Sequence, residues 1–137
     1  MKTFRQQQLN LYDDFMIRFD KLSKSDVLLW LKKVMELHFD ERYETYNHEV
    51  IHLIDQSIDG VHNVLEARNL AFKLHHEAKI NQNDAQFYLR ALGHMVSTIH
   101  VKLHAIKCCD YIIKYIQFRT KDNDAVVGER LRQLTLL

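Results

Sequence analysis

The chain has 137 residues, 27% of them charged, a formal net charge of +1, three Gly and no Pro, where average usage would supply ~7 Pro and ~10 Gly. Without the commonest turn residue and helix stop, and short of the glycine that hairpin turns need, sandwiches and barrels are hard to build, and collagen-like, linker-like and glycine-loop phosphate-binding chains are excluded. The composition predicts an all-α fold, and the near-neutral balance, with its basic residues dispersed (Lys32, Lys33, Lys102, Lys107, Arg130, Arg132), argues against a nucleic-acid partner.

The 3.6-residue apolar period predicts a compact single-domain bundle of about five to six helices over residues 1–137. The first covers about residues 4–22, with Phe4, Leu11, Phe15 and Leu22 on one face. A second starts near Ser25, read as its N-cap, and carries Leu28, Leu31 and Met35 inward. The third spans about residues 43–59 and stops at Gly60, where a C-terminal cap belongs. Asn63 caps the fourth, which runs to about residue 79. The fifth opens at Gln82 or Asn83 and its pattern persists to about residue 118, longer than an ordinary globular helix, so a kink or break is expected near Gly93 or around Val101. Tyr88, Leu92, Met95, Val96, Ile99, Leu103 and Ile106 form its stripe, and this most apolar segment belongs at the bundle's centre. A weak helix over about residues 123–134, containing Gly128, closes the pattern.

An apolar fraction of 47% suits one core, and no apolar run reaches the length of a membrane span, so no membrane association is expected. The opening stretch lacks the apolar run and small-residue cleavage site of a signal peptide. The only cysteines, Cys108 and Cys109, are adjacent and poorly placed to bridge each other, which points to a reducing cytoplasm.

Two histidine motifs invite a chemical reading. His48-Glu49-Val50-Ile51-His52 matches H-E-x-x-H, whose spacing on a helix can hold zinc beside a general base. With nine His and seven Glu in the chain, chance supplies such a match in roughly one chain in thirty. The helical wheel puts both histidines opposite the apolar face, beside Asp55 and Asp59, and Asp55 and Ile58 occupy the Gly and third-His positions of the longer metzincin signature. The motif reads as a surface coincidence.

His100 and His104 form a second i, i+4 pair, on the flank of the apolar stripe. Gly93 and Ser97 lie above them on the same line and Tyr111 below, while Arg68 and His75 flank the apolar face of the fourth helix. The two flanks together make a candidate polar groove. Hydrogen-bonded boundary histidines are its first reading, a partner-binding patch its second, and a metal site of His100, His104 and His75 its third. His76 and His94 project outward on the wheel and are left out of the groove. Ser97, Cys108 and Cys109 sit within helix, without the strained elbow of a nucleophile, so no catalytic residue and no cofactor are assigned.

The middle of the chain resembles a known family. Glu66-Ala67-Arg68, Ala71-Phe72 and His75, then Arg90-Ala91-Leu92-Gly93-His94, Thr98, His100-Val101, His104-Ala105 and Tyr111, with Trp30 to Phe39 upstream, resemble the putative immunity protein family (Imm-five-like) over about residues 28–118. The resemblance adds Glu66 and Thr98 to the candidate groove. It implies a small, non-enzymatic cytoplasmic protein that neutralises a bacterial protein toxin by binding it, and a monomer or homodimer is expected. Two alternatives from other classes stand beside it: a metal-dependent helical enzyme using His100 and His104, and a histidine-rich, pH-responsive regulatory or structural oligomer.

Overall fold

Residues 3–137 are described by a computed structural model, apart from the side chains of residues 4, 5 and 7–10. Seven α-helices and one 3-10 turn, and no strand, occur among the described residues. The expected all-α class holds, with one helix more than the upper expectation, and no helix is long and apolar enough to cross a membrane among the described residues.

Helix α1 (Phe4–Asp20) is capped by Thr3, whose hydroxyl accepts from the Gln6 amide. Phe15 and Phe19 are its buried positions among the described side chains. Leu11, expected on the same face, is 40% exposed, and the Phe4 side chain lies outside the described residues. The two buried phenylalanines pack on Trp30 of α2 (Lys24–Met35), with ring centroids 5.5 and 6.3 Å away. The cap of α2 is Ser23 rather than Ser25. Only from Ser23 does a carboxylate, Asp26, fall three residues on, and the two close a reciprocal capping box.

A 3-10 turn (Glu41–Tyr43) leads into α3 (Glu44–Ile58), which ends as expected at Gly60. The Gly60 amide donates to the Ser57 carbonyl and the Val61 amide to Gln56, a Schellman closure that needs the left-handed φ of +86° at Gly60. Asn63 precedes α4 (Val64–Ile80) as expected but makes no side-chain cap. Its amide turns back to donate to the Leu53 carbonyl at 2.8 Å, tying α3 to α4.

The long fifth segment is two helices. α5 (Asp84–Ser97), capped by Asn83, is separated from α6 (His104–Thr120) by a break around Val101, the second of the two expected positions. Gly93 sits inside regular helix. Thr98 turns its hydroxyl back to donate to the His94 carbonyl, and Lys102 reaches from the break to the carbonyls of Phe19, Asp20 and Leu22, capping the end of α1. α5 is the buried centre: Tyr88, Leu89, Leu92 and Met95 are fully covered, with α4 on one side and α6 on the other. α7 (Asn123–Leu136) then folds across α6 and onto α2. There Trp30 Nε1 donates to the Gln133 carbonyl, and Arg132 donates to the carbonyls of Lys33 and Val34 at the end of α2.

Candidate functional site

Three consecutive helices bring one imidazole each to a single place: His75 from α4, His94 from α5 and His104 from the start of α6. Gly93 makes this possible. The His75 ring lies directly against it, so a methyl group on that Cα would fall 2.7 Å from His75 Nε2. The guanidinium of Arg90 meets His75 Nδ1 at 2.9 Å. Arginine can only donate, so Nδ1 accepts and the neutral ring carries its proton on Nε2. His94 stands edge-on to His75 at 4.9 Å between centroids and stacks on both His104 and Tyr111, at 5.2 and 5.4 Å. Between His94 Nδ1 and His104 Nδ1, 3.0 Å apart, one ring donates and the other accepts.

This arrangement holds the rings neutral. Burial depresses His75 to about 4, assisted by the Arg90 charge, and depresses His94 to about 3, assisted by His75. His104 is lowered by burial and then by Lys107. A third cation, Lys114, sits 4.8 Å over the Tyr111 ring. The stack therefore behaves as an aromatic wedge with polar edges, its Nδ1 atoms engaged by Arg90 and by each other.

The placement of the sequence-derived residues is mixed. His75, Gly93, His104 and Tyr111 meet, Ser97 is half-buried, and Thr98 is buried as an internal brace. Glu66, Arg68 and His100 are exposed and make no hydrogen bond or ring contact with the stack. The expected set of His75, His100 and His104 is therefore not assembled, and His94, expected outward, stands at the centre. Both corrections have one cause. A wheel drawn through an unbroken helix fails at residues 98–103, where the chain folds back, covers the face carrying His94, and leaves His100 on the exposed turn. Among the described residues, no group of three His, Cys, Asp or Glu side chains is set to hold a metal ion.

The H-E-x-x-H histidines lie on the outer face of α3. The His48 side chain is 77% exposed and pairs with Glu44 at 3.6 Å, and both His48 and His52 line a cleft of about 600 Å³ together with Phe39 and Ile51. Cys108 and Cys109 are free and fully buried, and burial pushes both thiols well up, leaving no accessible thiolate.

A second polar cluster escaped sequence reasoning. The Asp40 carboxylate, beside the 3-10 turn, accepts from the Arg42 guanidinium, the Arg42 amide and the Tyr115 hydroxyl. The Arg42 hydrogen bond outweighs burial and holds this carboxyl at about 2. Arg42 also pairs with Asp84 at 2.9 Å, and Arg119 donates to the Tyr115 hydroxyl. The Asp40 amide donates to Tyr88, whose own hydroxyl donates to Asn47. One local signal was available, an Asp preceding a short helical turn. Its partners on α5 and α6 lie 48 to 75 positions away, beyond any local pattern.

Once this geometry is set beside known proteins, one likeness emerges. A family model described as Imm-5 like putative immunity protein matches residues 18–137. No curated protein and no solved structure matches the chain.

Proposed function

The chain belongs to the Imm-5 like putative immunity protein family, and on that premise we propose that it neutralises a protein toxin by binding it, in the cytoplasm and without chemistry of its own. The observation that carries this reading is the span of the family match, which takes in every helix from the end of α1 onward. The chemistry of the interior supports it. The histidine Nδ1 atoms and the Asp40 carboxylate find partners within their own clusters, and the two thiols are buried. Such clusters rigidify a helical scaffold, and a rigid surface loses little freedom on docking.

The test is co-expression of a neighbouring toxin candidate with and without this chain. Restored growth together with a stoichiometric complex is expected. No rescue, and no complex at micromolar concentration, would remove the proposal.

A further inference from the structure

The inner face of α4 packs Ala67, Leu70, Ala71, Leu74 and Ala78 into the core, as an amphipathic helix should. Its outer face breaks that pattern. Phe72 is 79% exposed, Leu65 68% and Ile80 66%, among the most exposed large apolar side chains of the molecule. At 100° per residue all three fall within roughly a third of the circumference, together with Arg68, His76 and Lys79. No Asp or Glu shares that sector, since Glu66 and Glu77 lie farther round the helix. Solvent-facing apolar side chains repeated about every two turns on either side of an aromatic, interleaved with cations, have the make-up of an interaction patch rather than of a solvated face.

We infer that this face of α4 is the surface that meets the toxin, and that the toxin presents there an anionic rim around an apolar hollow that takes Phe72. The inference rests on the toxin-binding reading above and adds the surface and the partner's chemistry. Charge decides between occupants. A second copy packed antiparallel about Phe72 would set Arg68 beside His76 of that copy, with no carboxylate on either face to neutralise them. An acidic partner neutralises Arg68 and Lys79 and gives an encounter that salt weakens. Phe72 at the centre, with Leu65 and Ile80 along the helix, then matches the usual layout of a buried aromatic anchor inside a ring that excludes water.

The experiment uses the full chain and the toxin candidate encoded beside it, with affinity measured by calorimetry and protection by growth rescue. Phe72→Glu is expected to weaken binding at least ~30-fold and to abolish rescue. Its melting temperature should match the wild type, because the side chain it replaces is solvated. The double reversal R68E/K79E should also weaken binding and should flatten its salt dependence. Leu37→Glu, a change at a 72% exposed leucine just past α2, should leave both readouts unchanged. If the wild-type chain binds and Phe72→Glu binds equally well, the surface assignment is overturned while the toxin-binding reading stands. Should the wild-type chain neither bind nor protect, both readings fall together. A concentration-dependent dimer in sedimentation that Phe72→Glu dissolves would assign the face to a second copy and overturn the inference.

Discussion

Replacing Gly93 by alanine probes the histidine stack at its tightest point. The added methyl carbon would lie 2.7, 2.9 and 3.1 Å from Nε2, Cε1 and Cδ2 of His75, where a relaxed contact needs about 3.5 Å or more. The ring must therefore retreat by most of an ångström. It cannot do so freely, because Arg90 holds Nδ1 at 2.9 Å and His94 stands 4.9 Å away at its edge. Overpacking of this kind costs about 1–3 kcal/mol, while alanine in a helix interior regains about 1 kcal/mol of backbone entropy over glycine. Gly93→Ala should then lower stability by as much as ~2 kcal/mol in urea unfolding at pH 7.5. In a His75→Ala background the clash is gone and only the propensity gain remains, so the same substitution should stabilise by up to ~1 kcal/mol. The signature is this reversal of sign, read as a double-mutant coupling. Equal effects of Gly93→Ala in the two backgrounds would refute the claim that His75 is seated on Gly93.

Other parts of the structure give sharper or coarser readouts. Because His75 and His94 titrate well below 6.5 in the folded chain, at about 4 and about 3, the unfolded chain binds more protons below pH 6.5, and stability must fall as pH drops from 6.5 toward 4. Urea midpoints at pH 7.5, 6 and 5 check this, and a midpoint that rises on acidification would contradict it. Asp40→Ala leaves the Tyr115 hydroxyl without its acceptor and Arg42 with Asp84 as its remaining carboxylate, for an expected loss of about 1–3 kcal/mol; Asp40→Asn, which keeps the shape but not the charge, should cost less. Equal losses in chemical denaturation for the two variants would show that charge is irrelevant there. Truncation after residue 121 removes α7 and uncovers Trp30, which is 4% exposed and the one tryptophan in the chain. Its fluorescence should shift to the red, and an unmoved emission maximum would deny that α7 shields it.

Much of this architecture was legible in the residues. Absent proline and scarce glycine dictated helices, and the apolar period placed five of the seven close to where they stand. Gly60 was readable because a left-handed terminus has so few chemical solutions. The single long segment announced a break near Gly93 or around Val101, and its pattern did not decide between the two. The turn at residues 98–103 contains neither Pro nor Gly, and what stabilises it is distant: Lys102 on the carbonyls of α1. Drawing one helical wheel across that turn is also why part of the histidine site was misread. His75, His104 and Gly93 were identified from spacing, but His94 could be placed only once α6 was known to fold back over it. The Asp40 cluster illustrates the same limit, since polar pairs far apart in sequence leave no periodic trace. Asn63 adds a subtler case, in which a residue suited to capping one helix serves the preceding one instead.

The hydrogen bond from Trp30 to Gln133 joins residues 103 positions apart. α4, α5 and α6, by contrast, are neighbours in the chain and pack chiefly on one another. Closing a long loop costs more entropy than closing a short one, and local contacts form sooner. A chain emerging N-terminus first can therefore stack its middle helices before α7 exists, while the end of α2 keeps open carbonyls and an uncovered indole. Assembly thus has a direction, and α7 acts as its final fastener.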